Sequence, residues 1–319
     1  MKKLRILIAE SENYSPAALE IYRGLGEVRL AQLDRQGLLA VVKDCEVLVI
    51  RLANQIDEQI FASAPNLRAV ISPTTGLDHI DLEAAEKHGV RVLSLRGEVE
   101  FLRSIPATAE LTWALLLALT RRIPAAFGSV LSGEWQRDLF KGYDLAGRRL
   151  GILGLGRVGS IVARYGIAFG MQVSAFDPAP VRWVEGVKPV ASMQELFANS
   201  DVLSVHVPLN SQTTHLVGSA QLDSLPPGAV LINTSRGDVI DEAALLAELE
   251  GDHLAGAALD VLSNERSGEL SDSPLVQYAR SHSNLILTPH IGGATYESMA
   301  ATEVFMAKKL GEYLHSLNM

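Results

Sequence analysis

Short aliphatic and β-branched runs alternate with longer segments of helical periodicity along almost the whole chain, and this alternation restricts the fold more than any other feature. Candidate strands cover 5–9, 28–31, 47–51, 68–72 and 91–95, with helical periodicity between them, as at 16–25 and 82–88. A second series covers 149–153, 172–177, 202–208, 229–234, 254–260 and 285–288. Strands that are apolar throughout and separated by helices specify parallel sheets covered on both faces. Two such series predict an α/β protein with two doubly wound domains.

The chain has 319 residues, enough for two medium cores. A hydrophobic fraction of 48% and a charged fraction of 20% suit a globular rather than a disordered protein. A formal net charge of −9 and a pI near 5.4 argue against non-specific binding to nucleic acid or acidic membranes. The apolar run after Met1-Lys2-Lys3 carries Arg5 and stops at Glu10, too short for a secretory signal. The most hydrophobic window, 111–120, falls well below the ~20 residues that cross a bilayer. A cytoplasmic protein without membrane or nucleic-acid partners is expected. The single cysteine, Cys45, excludes an intrachain disulfide and reads as a reduced core residue in the apolar run 45–50.

Between the two series, a helix is predicted from about residue 107 to 122, stopped by Pro124. Its Leu111, Leu115, Leu116 and Leu119 share one face, as expected of a helix packed between domains. After the last strand a helix over about 296–314 is expected to carry the chain back to the first domain.

Gly154-Leu155-Gly156-Arg157-Val158-Gly159 follows the strand at 149–153 and opens a helical stretch over 160–169. In that setting the first glycine permits a tight turn, the second lets backbone approach a pyrophosphate, and the third lets helix and strand pack closely. The pyrophosphate would rest on free N–H groups at the helix start. Asp177 ends the next strand, 18 residues after Gly159, where its carboxylate can accept from ribose hydroxyls and repel a 2′-phosphate. The nearest following basic residue is Arg182, beyond two prolines, so NAD is expected in preference to NADP.

Three further residues close later strands of the same series, where ligands collect in doubly wound sheets. Arg236 follows Asn233-Thr234-Ser235, Glu265 follows Leu259-Asp260-Val261-Leu262-Ser263-Asn264, and His290 lies in Thr288-Pro289-His290-Ile291-Gly292-Gly293. With the glycine loop and Pro73-Thr74-Thr75-Gly76-Leu77-Asp78, these motifs resemble, in order and over essentially the whole chain, the D-isomer-specific 2-hydroxyacid dehydrogenases. That family includes phosphoglycerate, glyoxylate/hydroxypyruvate and D-lactate dehydrogenases.

The resemblance implies a Rossmann NAD-binding domain over 104–290 and a flavodoxin-like substrate domain built from 1–103 and 291–319. It implies hydride transfer between the nicotinamide and C2 of a small D-2-hydroxy acid or 2-oxo acid. Arg236 would hold the substrate carboxylate or carbonyl with its planar, permanently charged fork. His290, with an unperturbed pKa of about 6.5, would act as acid and base, and Glu265 would orient its ring. The family pattern also implies cofactor contacts at Thr75, Gly154, Gly156, Arg157, Val158, Gly159, Asp177, Val207, Thr234, Ser235, Arg236, Asp260, His290 and Gly292. Asp260 would lie near the nicotinamide carboxamide, and the N–H groups of Thr75 and Gly76 would meet the substrate carboxylate. A homodimer formed through the nucleotide domain, partly through the helix after Ala107, is the family expectation, and Trp113 suits either that interface or a buried place.

His206 reads as an adenine-side or structural residue, and the histidine spacing predicts no metal. Two departures from the family pattern stand out. Arg266 follows Glu265 where proline is common, and Ser72-Pro73-Thr74 replaces a glycine-rich loop. Arg51, Arg96 and Arg103 are candidates for binding a second anionic group on the substrate. With the chain ending soon after its last helix, no appended regulatory domain is expected. Two other functions fit the same motifs: an NADH-sensing, partner-binding corepressor without catalysis, and a formate- or phosphite-type dehydrogenase.

Overall fold

The computed structural model describes residues 4–180, 182–265 and 270–317. They form two compact units, one of Met1–Ser104 with Ala294–Met319 and the other of Ile105–Gly293.

The first unit holds strands β1 (Leu4–Ile8), β2 (Gly26–Leu30), β3 (Val47–Val49), β4 (Ala69–Ser72) and β5 (Arg91–Ser94). All are parallel, in the order β2-β1-β3-β4-β5, the flavodoxin-like arrangement. The helices that cross between strands start on side-chain caps. Ser15, Asp34, Asp57 and Asp81 each accept from a backbone N–H in the first turn. β3 and β4 are buried along their whole length, whereas the edge strand β2 is not. The helix Tyr296–Leu317 packs against Pro16–Leu25 and β5 and buries Met306, Ala307 and Leu310.

The second unit holds β6 (Arg149–Leu153), β7 (Gln172–Phe176), β8 (Lys188–Pro189), β9 (Val202–Val205), β10 (Ala229–Asn233), β11 (Leu254–Leu259) and β12 (Leu285–Leu287). Their order is β12-β11-β10-β9-β6-β7-β8, again parallel throughout. This is the Rossmann order, and it reverses direction between β6 and β9. All carboxyl ends therefore lie on one edge of the sheet.

Most strands stop a residue or more before their apolar runs do, because pairing ends where the chain turns into the loops. β8 was not expected: two exposed residues, one of them proline, make a short edge strand with no pattern to read. The connecting helix also differs from expectation. It spans Ala107–Thr120 and belongs to the second unit, lying on β10, β11 and β12 and burying eight residues, Trp113, Leu115, Leu116 and Leu119 among them. Trp113 stacks on Phe169 at 4.5 Å and donates to the Val162 carbonyl, so its place is intrachain. Arg122 takes a left-handed φ of 53°, and Pro124 then opens a second helix, Ile123–Leu131. Proline is suited to a first turn, where its missing N–H costs nothing.

The apolar stretch is also longer than the ten-residue window suggested. Val99–Thr120, 22 residues containing an 18-residue window of mean hydropathy 1.2, has the length and composition of a membrane span. It is not one continuous helix: Val99–Leu102 ends before Ala107–Thr120 begins.

Candidate active site

The glycine loop leaves β6 at the switch point. Gly154 has φ 91°, and a Cβ there would press on His206 and Val207 at 3.0 Å. Gly159 lies so close to the loop that its Cβ would come within 2.1 Å of the Gly154 carbonyl oxygen. Gly156 differs: it is exposed, and a Cβ there would meet nothing within 4 Å. The first and third glycines thus serve the chain's own packing, while the second borders open space at the start of helix Arg157–Ala168. That cradle fits a dinucleotide pyrophosphate set on unpaired helix N–H groups.

Asp177, just beyond β7, accepts from the Leu155 N–H at 2.8 Å and the Ala179 N–H at 2.9 Å. Its carboxylate therefore shapes the glycine loop and retains acceptor capacity for ribose hydroxyls. The Arg157 guanidinium donates to the Ile105 carbonyl at 2.7 Å, and burial lowers its pKa. Arg157 can offer a cofactor its backbone N–H, while its side chain ties the loop to the start of the core helix.

Arg236, Glu265 and His290 follow β10, β11 and β12, three neighbouring strands, which brings them to adjacent places on one edge. His290 Nδ1 and Glu265 Oε1 are 2.6 Å apart, both side chains about one-fifth exposed. A carboxylate on Nδ1 favours the tautomer with hydrogen on that nitrogen and stabilises the charged ring. Nε2 is then the nitrogen available to a substrate. Arg236 donates through Nη1 to the Ser235 carbonyl at 2.7 Å.

Two buried polar residues whose roles the motifs did not reveal set this geometry. Asn233, 1% exposed, accepts from the Ser235 N–H and hydroxyl and donates to the Arg236 carbonyl, building the turn that presents Arg236. An asparagine followed by small polar residues is the available sequence signal for such a turn. Asp260, also 1% exposed, accepts from the Thr288 hydroxyl, the Ile291 N–H and the Gly292 N–H at 2.6–2.8 Å. Its backbone carbonyl takes the His290 N–H as well. Burial raises the Asp260 pKa, and these donors oppose the rise. The turn they hold includes His290 at φ 54°, a left-handed conformation uncommon outside glycine.

The other cofactor candidates divide by exposure. Val158, Val207 and Ser235 are half-buried around the loop edge. Thr234 is buried, with its hydroxyl against that of Thr112 at 2.9 Å, and Gly292 is buried with its N–H on Asp260. Ser204 Oγ lies 2.8 Å from His206 Nε2, and burial pushes that imidazole down to about 3, so it stays neutral. Arg266 lies outside the described residues.

In the first unit, Thr75 is exposed and Gly76 half-buried in the turn after β4. Beneath them Ser72, Thr74 and His79 form a chain: Ser72 Oγ to Thr74 Oγ1 at 2.8 Å and to His79 Nε2 at 3.1 Å, with Thr74 Oγ1 donating to the Gly76 carbonyl. Side chains thus stiffen the turn that Pro73 begins. Arg51 is committed elsewhere in its unit. Its fork grips Glu303 Oε1, and its remaining arm donates to the Glu12 carbonyl. Arg103 pairs with Glu100.

The fold and the cradle define a dinucleotide-binding α/β protein. Residues 113–292 match the sequence profile of the D-isomer specific 2-hydroxyacid dehydrogenase, NAD binding domain. The chain is 33% identical over 290 residues to a hydroxypyruvate reductase of Thermotoga maritima, covering 89% of this chain and 90% of that one. It is 36% identical over 288 residues to a D-3-phosphoglycerate dehydrogenase of Mycobacterium bovis, covering 88% of this chain but 52% of that one. It therefore spans about half the length of the phosphoglycerate dehydrogenases it matches. A D-lactate dehydrogenase of Aquifex aeolicus, solved with NAD and lactic acid, superposes with a TM-score of 0.85 at 27% identity, covering 98% of this chain and 96% of that one. The chain belongs to the D-isomer specific 2-hydroxyacid dehydrogenase family.

Proposed function

We propose that the protein is an NAD-dependent oxidoreductase that interconverts a small D-2-hydroxy acid and its 2-oxo acid. The observation that carries this reading is the His290–Glu265 pair on the same sheet edge as Arg236 and the open glycine cradle. Bound nicotinamide supplies the hydride chemistry. Arg236 anchors the carboxylate or carbonyl of the acid. In reduction His290 Nε2 gives a proton to the carbonyl oxygen as C2 gains its hydride; in oxidation the same nitrogen takes the hydroxyl proton. Glu265 holds the ring by Nδ1 and balances its charge.

Substrates bearing one carboxylate are favoured, since Arg51, a candidate for a second anionic group, is engaged by Glu303. The named relatives point to glyoxylate and hydroxypyruvate as the first to test. Purified protein is assayed with NADH against glyoxylate, hydroxypyruvate, pyruvate and 3-phosphohydroxypyruvate, and with NAD against formate and phosphite. Turnover of the singly charged 2-oxo acids is expected. No turnover across the panel, with Arg236→Ala and His290→Ala leaving ligand binding unchanged, overturns the reading. NADH binding without turnover would instead place the protein with the sensors.

We also infer a homodimer. Helix Ile123–Leu131 buries none of its residues, with Phe127 64% and Leu131 72% exposed, and Trp135 just beyond it is 86% exposed. A contiguous apolar face of this kind suits a self-complementary contact with a second copy. The interface lies in this helix rather than in Ala107–Thr120, whose apolar residues fill the unit's own core. Light scattering should give twice the chain mass, and Phe127→Asp with Leu131→Asp a monomer.

A further inference from the structure

Both members of the acid–base pair stand at backbone positions that need support. His290 has φ 54°, and Asn264, directly before Glu265, has φ 58°. Left-handed backbone is disfavoured at residues other than glycine, least so at asparagine, and is held in place by its surroundings. At His290 the enforcement comes from Asp260. On the Glu265 side it comes from the turn that carries Arg236 and the helix that follows it. Gly237 lies so close that a Cβ there would come within 2.1 Å of the Leu262 carbonyl carbon and 2.2 Å of the Ser263 nitrogen. The Ser263 N–H donates to Glu242 Oε1 at 2.6 Å, and the Leu262 N–H leans on Glu265 Oε2 at 3.4 Å.

Glu242 is the first residue of helix Glu242–Glu250, where an acid commonly serves the helix terminus. That task is already filled by Asp241, whose Oδ1 accepts from the Ala243 and Ala244 N–H groups. The Glu242 carboxylate turns instead to the Ser263 N–H.

We propose that Glu242 is a positioning residue for the reaction: by holding Ser263 against the Arg236-Gly237 turn, it sets the place of Glu265 and, through it, the orientation of His290. This rests on the acid–base role assigned to His290 above. Burial raises the Glu242 pKa, and Asp238 and His215 are the other charged groups that act on it. His290 in turn faces Glu265 and the charge of Asp260.

Three substitutions separate positioning from a helix-end role. Glu242→Gln keeps the side-chain length and an acceptor for Ser263 but loses the charge. Glu242→Asp keeps the charge at the helix start but is one methylene too short. Glu242→Ala removes both. A helix-end role is served by Asp and not by Gln; positioning requires the reverse.

We expect Glu242→Asp and Glu242→Ala to lower kcat about 10- to 100-fold, with the KM for NADH within about twofold, and Glu242→Gln to stay within about threefold of the parent. The Nδ1 proton of the His290 ring, followed by NMR and assigned with His290→Gln, should lose its downfield position in the Asp and Ala variants, because its short hydrogen bond to Glu265 is loosened. In the Gln variant it should not move. This readout needs no substrate, so it survives a failure of the proposed reaction. Parent-like kcat and an unmoved His290 Nδ1 proton signal in Glu242→Asp and Glu242→Ala overturn the proposal, as does a Gln variant impaired as strongly as the Asp variant. If the Ala variant does not fold, the Asp–Gln contrast decides.

Discussion

Both units are parallel, doubly wound sheets with charged residues just past their strands, but the first buries the carboxylates that hold its loops and the second keeps its histidine–carboxylate pair partly exposed. After β1, Glu10 accepts four successive backbone N–H groups, those of Arg51, Leu52, Ala53 and Asn54, together with the Asn54 side-chain amide. Such a run of N–H groups is a ready anion site, and here the chain fills it with its own carboxylate. Arg51, after β3, is neutralised by Glu303, whose side chain is 2% exposed. In the second unit the corresponding loops carry Gly156, with empty space where a side chain would be, and a histidine–carboxylate pair that is still partly exposed. A charge at a strand end thus does not mark a site by itself. What distinguishes the two units is whether the partnered carboxylate is buried, as Glu303 is, or stays about one-fifth exposed, as Glu265 does.

The contrast can be broken most directly at His290. His290→Ala is expected to lower kcat/KM about 10³-fold, near 4 kcal/mol, while leaving the urea midpoint nearly unchanged. In the first unit the same kind of change should act on folding instead. Glu303→Ala strands a partly buried guanidinium and should cost about 3 kcal/mol of stability by urea denaturation, while Glu303→Leu combined with Arg51→Met recovers most of it. A functional loss without destabilisation there would show that the first unit's charges are not merely internal.

Gly156→Val sharpens the same point. Because a Cβ there meets no protein atom, stability should hold while NADH affinity falls about 100-fold, some 2.7 kcal/mol, by fluorescence titration. The smallest effect, taken over a single pH unit, is on pH dependence. His206 is held neutral when folded, with a pKa pushed down to about 3, while the unfolded chain titrates near 6.5. The unfolded state therefore binds the extra proton between those values. Stability should fall as pH drops through that window, by at most about 1.4 kcal/mol per unit, and His206→Gln should flatten that part of the curve.

The architecture was legible because parallel strands buried on both faces must be apolar throughout, and turns between them must carry capping residues and glycine. The glycine roles followed from the same logic, as local constraints within one loop. What escaped was whatever depends on a partner distant in sequence. Arg51 was a candidate for an anionic substrate because nothing near it announces Glu303, 252 residues away. The hold of Asp260 on the turn that carries His290 runs to residues 28, 31 and 32 positions away, and Glu242 carried no signal because an acid at a helix start is commonplace. The helix after Ala107 was read as lying between domains because its apolar face shows that it is covered, not by what.

Asp177 makes one residue answer for two properties that evolution would otherwise adjust separately. The carboxylate suited to discriminate between dinucleotides is also the acceptor that shapes the glycine loop through Leu155. A lineage that exchanged it for a neutral or basic residue to admit a phosphorylated ribose would loosen the pyrophosphate cradle in the same step. A switch in cofactor preference would therefore pass through a poorly binding intermediate unless another acceptor for the Leu155 N–H arose first. The route to that switch is ordered, and the compensating change has to come before the change of preference.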